Sequence, residues 1–72
     1  MRPFDDDEGR HWQVALGKES WGTLVLLFTP AGAGESRTSV LSAETMLAAN
    51  AELDAMTDDD LRARLRDSRP WP

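Results

Sequence analysis

Few side chains in this sequence could do chemistry, and they are scattered along the chain. His11 is the single histidine, cysteine is absent, and neither Ser20 nor Ser36 has the G-x-S-x-G context of a nucleophilic serine. Gly32 and Gly34 are spaced as G-x-G, but no third glycine, lysine or helix start follows them, so they indicate a turn. Because His11 has no converging partners, we predict that the protein is not an enzyme and has no catalytic residue, cofactor or metal site.

Carboxylates are the most abundant ionisable groups, with 13 acidic side chains in 72 residues. Four of them are consecutive, at Asp5, Asp6, Asp7 and Glu8. A calcium loop needs carboxylates at alternate positions, as in D-x-D-x-D-G, and this run lacks that spacing. Consecutive like charges repel one another, so we predict a solvated polar arm over residues 1–10.

Basic side chains gather near the C-terminus, where Arg62, Arg64, Arg66 and Arg69 precede Trp71. Basic residues interleaved with an aromatic ring can bind single-stranded nucleic acid by charge and stacking. Neighbouring aspartates and a formal net charge of −5 oppose this, because an acidic chain is repelled by nucleic acid and by anionic lipid. A nucleic-acid-associated regulator using the arginine-rich C-terminal helix is therefore the alternative function, and we predict no membrane contact.

The length of 72 residues allows one domain with a thin core, since a chain of this size buries only about 60% of its unfolded surface. The lack of cysteine fits a reducing compartment. The longest apolar run, residues 24–28, is far below the ~20 residues that span a bilayer, and residues 1–10 have no signal-peptide apolar core. We therefore expect a soluble cytoplasmic protein.

Alternation at period two predicts strands in the first half of the chain. Trp12, Val14 and Leu16 alternate with polar or small residues, and residues 17–20 suit a hairpin turn. Residues 21–29 form the predicted central strand, whose two alternating sets are both apolar and therefore need cover on both faces. A weaker third strand follows at residues 36–41, and its polar side chains predict an edge position.

Two helices are predicted in the second half. Ser42 is the expected N-cap of the first helix. The apolar stripe of that helix consists of Met46, Leu47, Ala49, Leu53 and Met56. Thr57 starts the second helix, where Asp60 replaces the usual glutamate of a capping box and is also four residues before Arg64. Pro70 ends this helix.

These elements predict an α+β fold, a three-stranded antiparallel meander followed by a helical hairpin, in the order β-β-β-α-α. We assign a single domain to residues 1–72. Its predicted parts are a polar N-terminal arm over residues 1–10, a β-meander over 11–41, two helices over 42–69 and a tail over 70–72.

Three tryptophans in 72 residues are a large number of bulky side chains for so small a core. Two helices with a short connection can cover one face of the predicted sheet, which leaves apolar side chains uncovered, and such a patch is typical of a protein-binding surface. The residues predicted to bind a partner are Trp12, Trp21, Leu24, Leu26 and Phe28. We therefore predict a small non-catalytic protein-interaction module or regulatory subunit acting through an apolar and aromatic sheet surface. Its partner is another protein or a second copy in a homodimer.

Residues 3–9, with the sequence P-F-D-D-D-E-G, resemble the opening of MbtH-like proteins. That family comprises similarly sized partners of adenylation domains in nonribosomal peptide synthesis, with a small sheet before a helix and tryptophans at the interface. The resemblance covers seven of the 72 residues, and the S-L-W-P and P-x-G-W elements of the family are absent. The resemblance therefore assigns no functional residue in this chain.

Overall fold

The chain forms a five-stranded antiparallel sheet with two helices against one face. This computed structural model describes residues 1–19 and 21–71. The elements in chain order are β1 (Arg2–Asp5), β2 (His11–Lys18), β3 (Leu24–Pro30), β4 (Arg37–Val40), α1 (Met46–Ala55), α2 (Asp58–Arg66) and β5 (Arg69–Pro70). The strand order is β1-β2-β3-β4-β5, so the last strand joins the sheet only after both helices.

The predicted class, α+β, is correct, but the three-stranded meander is wrong because two further strands occupy the edges of the sheet. β1 lies in the segment predicted as a solvated arm and places Phe4 opposite Trp12 of β2. β5 lies at the predicted end of the second helix and start of the tail, and it places Arg69 opposite Thr38 of β4. β4 is therefore an interior strand and not the predicted edge.

β3 is the central strand, as predicted, but it begins at Leu24 rather than at residue 21. Gly22 has a φ of 82°, a left-handed conformation that glycine adopts without steric cost. The N–H of Gly22 donates to the carbonyl oxygen of Glu19 at 2.9 Å. This tight reversal takes Trp21 out of the strand and into the connection between β2 and β3.

The core lies between the sheet and the two helices. Phe4 of β1 and Phe28 of β3 meet edge to face, with 5.8 Å between ring centroids and an interplanar angle of 69°. α1 contributes Ala49 and α2 contributes Leu61, and both side chains are fully buried. The buried core cluster is Phe4, Trp12, Val14, Leu24, Leu26, Phe28, Leu41, Ala49 and Leu61.

α1 begins later than predicted. Its N-cap is Thr45 and not Ser42, because the Thr45 hydroxyl accepts a hydrogen bond from the N–H of Ala48 at 3.1 Å. Of the predicted apolar stripe, Ala49 is buried and the two members nearest the helix end are partly buried, while Leu47 is 82% exposed. The side of α1 that carries Ala49 and Leu53 therefore faces the sheet, and Leu47 does not.

α2 begins with the predicted capping box. The hydroxyl of Thr57 accepts from the N–H of Asp60 at 3.1 Å, and the Asp60 carboxylate accepts from the N–H of Thr57 at 2.9 Å. Because the Asp60 carboxylate is used in this cap, Arg64 forms its ion pair with Glu52 of α1 instead, at 3.3 Å. The cap and this ion pair fix the start of α2 and its position beside α1.

Candidate protein-interaction surface

The face of the sheet opposite the helices carries the second alternating set of side chains. On the three inner strands, the members of this set are His11, Gln13, Ala15 and Gly17 of β2, Val25, Leu27 and Thr29 of β3, and Thr38 and Val40 of β4. The core cluster, as defined by the described residues, contains none of these nine residues. We name this set the open face.

The open face is apolar at its centre. Val25 is fully buried and Leu27 is half-buried, whereas Val40 on β4 is 57% exposed. Val25 has Gly17 on one neighbouring strand and Val40 on the other. A Cβ at Gly17 would lie 3.3 Å from Cγ2 of Val25, so β2 leaves room for the valine by having no side chain at this position. The apolar centre is therefore packed on the β2 side and open to water at Val40.

Trp21 is a highly exposed aromatic side chain, with 94% of its surface accessible. Its connection is held by the N–H of Glu19, which donates to the carbonyl oxygen of Thr23 at 2.9 Å, and by the Gly22 turn. An exposed indole on a short turn offers a large apolar area and has only two rotatable side-chain bonds, as interface anchors do. The connection lies at the end of the sheet where Val25 pairs with Val40.

The five residues predicted to bind a partner do not lie together. Trp21 is exposed, but Trp12, Leu24, Leu26 and Phe28 are at most 6% exposed and belong to the core. All four point to the helix side of the sheet, so their apolar character serves the contact between sheet and helices. In the folded chain, only Trp21 of the five is accessible to another protein.

Sequence reasoning did not single out the apolar residues of the open face. The signal was present, because alternation along β3 places Val25 and Leu27 on the face opposite Leu24 and Leu26. Alternation alone does not say which face the helices cover. That choice depends on where Ala49 and Leu61 of the helices pack, which is a long-range contact.

A shallow depression of about 420 Å³ borders the open face at its β4–β5 side. Thr38, Val40, Arg69 and Trp71 are among its lining residues. The Oγ1 atom of Thr38 is buried and has no hydrogen-bond partner among the described residues. The Trp71 side chain is 37% exposed. The backbone N–H of Trp71 donates to the carbonyl oxygen of Ser36 at 2.8 Å and holds the residue in place. Its lining combines apolar residues, Val40, Pro70 and Trp71, with charged ones, Glu19, Asp67 and Arg69.

β1 and β5 form the two edges of the sheet. Each has a proline at a position where pairing with a strand of another chain would need a backbone N–H donor. The N–H of Asp6, just after β1, donates toward β2, to the carbonyl oxygen of Arg10. Backbone groups of successive residues point alternately toward and away from the neighbouring strand, so the nitrogen of Pro3 points away from β2. On β5, the N–H of Trp71 points inward, so the nitrogen of Pro70 points outward. Because proline has no N–H to donate, its presence on an edge strand opposes the addition of a strand from another chain.

The acidic run is a folded turn between β1 and β2 rather than a solvated arm. One carboxylate oxygen of Asp6 accepts from the N–H groups of Glu8 and Arg10, both at 2.9 Å, and the other accepts from the indole of Trp12. Partial burial acts to raise the pKa of Asp6, but these three hydrogen bonds and the charge of Arg10 outweigh it and lower the pKa below its ordinary value. The turn therefore depends on an ionised Asp6.

Three arginines of α2 are engaged by acidic side chains of the same chain. The ion pairs join Arg62 to Asp59 at 2.7 Å, Arg64 to Glu52 at 3.3 Å and Arg66 to Asp7 at 2.7 Å. Arg62 also donates from Nε to the carbonyl oxygen of Asp5 at 2.7 Å. These contacts tie α2 to β1 and to the acidic turn. Three of the four arginines that the nucleic-acid alternative depends on are therefore already paired.

The nearest approach to a catalytic pair is His11 with Asp5. Nδ1 of His11 lies 2.5 Å from a carboxylate oxygen of Asp5, and the two side chains are 75% and 53% exposed. Throughout residues 1–19 and 21–71, no three His, Asp or Glu side chains are grouped as metal ligands would be. An isolated surface pair of this kind offers neither a nucleophile nor a pocket for a substrate.

Neither described helix is long and apolar enough to cross a membrane, since α1 has ten residues and α2 has nine.

Comparison of the chain with known protein families, with curated proteins and with solved structures finds no match. Residues 3–9, which resemble the opening of MbtH-like proteins, form most of β1 and the turn after it. Contacts within the chain engage the three aspartates of this segment, Asp5, Asp6 and Asp7. The geometry of the uncovered surface is therefore the basis for a functional proposal.

Proposed function

We propose that this protein is a small, non-catalytic protein-interaction module or regulatory subunit that binds through Trp21 and through the apolar residues of the sheet that the helices leave uncovered. The observation that carries the proposal is the 94% exposure of Trp21 on a turn fixed by hydrogen bonds. Burying an indole of this kind contributes on the order of 4 kcal/mol at about 25 cal/mol per Å². A partner that covers Trp21 therefore gains a large part of its binding free energy from one side chain.

The partner that we propose first is a second copy of the chain, because a symmetric pair needs only one self-complementary patch. The chain is short and its core is thin, so association also adds apolar burial that the monomer lacks. The proposal includes a cytoplasmic location, which the lack of cysteine supports. The ion pairs that three arginines of α2 form within the chain weigh against the alternative of a nucleic-acid-associated regulator.

Sedimentation equilibrium of the purified chain tests the proposal. We expect dimers at micromolar concentration, and we expect Trp21→Ala to weaken association by roughly tenfold or more, since the indole is the anchor. Leu47→Ala is the matched control, because Leu47 is also apolar and is 82% exposed, on α1. Association of Trp21→Ala that equals that of the wild type would contradict the proposal.

A further inference from the structure

Two side chains of opposite charge line the depression beside the open face. Glu19 directly follows β2, Arg69 belongs to β5, and Val40 of β4 lies between them. Within the part of the chain that the structure describes, neither Glu19 nor Arg69 forms an ion pair. The surface therefore offers an anion and a cation to a partner.

The sheet register places the apolar centre of the open face between these two charges. The N–H of Glu19 donates to the residue two positions before Val25 on β3, and Arg69 pairs with Thr38, two positions before Val40 on β4. Because β3 and β4 are antiparallel, these two positions lie on opposite sides of the Val25–Val40 pair. A two-fold axis at that pair therefore exchanges the acidic and the basic end of the surface.

We infer that two copies of the protein pack through their open faces around a two-fold axis at the Val25–Val40 pair, with Glu19 of each copy against Arg69 of the other. The inference rests on the proposed function and specifies the contact of the homodimer. One self-complementary patch is enough for such a pair. Two antiparallel sheets commonly pack face to face, about 10 Å apart.

The same arrangement gives Trp21 a place on the second copy. Trp21 comes two residues after Glu19 in the β2–β3 connection, and Trp71 comes two residues after Arg69. When Glu19 meets Arg69 of the other copy, Trp21 approaches that guanidinium and the partly exposed indole of Trp71. Contacts of an indole with a guanidinium and with a second aromatic ring are both favourable.

Apolar side chains near the axis retain surface that a second copy can cover. Val40 is 57% exposed and Leu27 is half-buried. Burial of both Trp21 indoles would add roughly 300–500 Å², a substantial part of the ~1,200 Å² of a small specific interface. These contributions correspond to a reversible dimer with a dissociation constant in the micromolar range.

The charge pattern favours a second copy over a strongly acidic or strongly basic partner. Asp67 lines the same depression as Arg69, so both signs of charge occur close together on this surface. A partner of one sign would meet like charge at one end of the surface. A rotated copy instead meets the opposite charge at both ends.

Charge reversal tests the contact between Glu19 and Arg69. Glu19→Arg and Arg69→Glu should each weaken association by roughly tenfold or more, because each variant brings like charges together twice in the symmetric pair. An equimolar mixture of the two variants should associate as the wild type does, since both contacts of the mixed pair again join opposite charges. A contact within one chain cannot produce this recovery.

Sedimentation equilibrium of full-length chains measures these dissociation constants, and circular dichroism verifies that each variant is folded. Glu44→Arg is the matched control for Glu19→Arg. Glu44 is also exposed and has no ion pair among the described residues, but it lies just before α1, away from the open face. The control should leave association unchanged.

A cysteine introduced near the axis supplies a second test. The sequence has no cysteine, so Val40→Cys can form a disulfide only between copies. Under mild oxidation, this variant should cross-link roughly fivefold or more faster than Leu47→Cys, because the axis brings the two positions together. Leu47 is the stricter control because it is more exposed than Val40 but lies on α1. Equal rates for the two variants, followed by non-reducing gel electrophoresis, would overturn the contact.

The outcomes separate this contact from the broader function. Wild-type dimers that both charge reversals leave unchanged, but that Trp21→Ala dissociates, would overturn the Glu19–Arg69 contact and retain the interaction module. A mixture of the two charge-reversed variants that stays monomeric would also overturn the contact. A wild-type chain that is monomeric up to millimolar concentration would overturn the contact as well as the homodimer.

Discussion

The carboxylate of Asp6 accepts a hydrogen bond from the indole Nε1–H of Trp12 at 2.9 Å, which joins an acidic surface turn to a ring of the core. Trp12 is 6% exposed, and the guanidinium of Arg10 lies over its ring, 5.7 Å from the centroid. Asp6 therefore orients a core side chain and organises the turn at the same time.

Replacement of Asp6 by asparagine should lower the free energy of unfolding by about 1–2 kcal/mol, because charge-assisted hydrogen bonds from three donors become neutral or are lost. Urea denaturation followed by circular dichroism measures the change. Asp7→Asn is the matched control, because Asp7 forms one exposed ion pair, with Arg66, and should cost about 0.5 kcal/mol or less. Equal losses for the two variants would show that the Asp6 contacts contribute nothing.

The stability that Asp6 contributes should depend on pH in a defined direction. Its pKa in the folded chain is lowered from the ordinary 3.8, so the unfolded chain binds the proton first as the pH falls. The contribution is therefore complete above about pH 5 and is lost as the pH falls through the folded pKa. The difference in unfolding free energy between wild type and Asp6→Asn should shrink below about pH 4. A difference that stays constant from pH 7 to pH 2 would contradict the lowered pKa.

Sequence patterns that extend over only a few neighbouring residues correctly predicted some helices and strands. The alternating apolar sets of β3 and the Thr57 cap of α2 are of this kind, and both are present. The strand boundary at Leu24 also had a local signal in Gly22, since a glycine after Trp21 permits the left-handed turn that ends the hairpin connection.

The edge strands could not be predicted from local patterns, because they form by long-range pairing. Phe4 is a single apolar residue beside an acidic run, and it joins the core through long-range neighbours, Trp12 on β2 and Phe28 on β3. The two residues of β5 have no strand pattern of their own. Their position depends on Arg37 of β4, which donates to the hydroxyl and carbonyl oxygens of Ser68 at 2.7 and 2.6 Å.

The candidate surface was only partly predictable for the same reason. Exposure of Trp21 follows from a local turn, whereas burial of Trp12 follows from β1 and the helices.

The protein should bind nucleic acid weakly or not at all near physiological salt. The arginines of α2 are paired with Asp59, Glu52 and Asp7, and the net charge of −5 repels phosphates. Fluorescence anisotropy with labelled single-stranded and duplex oligonucleotides measures this. A triple variant that neutralises the three acids should bind more tightly than the wild type, since it frees the arginines. Salt-sensitive binding of the wild type in the sub-micromolar range would favour the nucleic-acid alternative.

Substitutions at Leu26 and Trp21 distinguish a residue that stabilises the fold from one that is proposed to bind a partner. Leu26 is fully buried in the core, and Leu26→Ala should lower the free energy of unfolding by about 2–5 kcal/mol, a large share of the total for a small domain. Trp21→Ala should change the unfolding free energy by less than about 0.5 kcal/mol, because the indole contacts water in the monomer.

Both variants should be compared in urea titrations at concentrations low enough for the chain to be monomeric. Leu47→Ala, at another exposed apolar position, gives the baseline for a surface truncation. Dilution matters because a dimer contact at Trp21 would add concentration-dependent stability to the wild type and not to the variant. If Trp21→Ala destabilised the dilute monomer as strongly as Leu26→Ala, the indole would have to pack against its own chain. It would then be unavailable as the anchor for a partner.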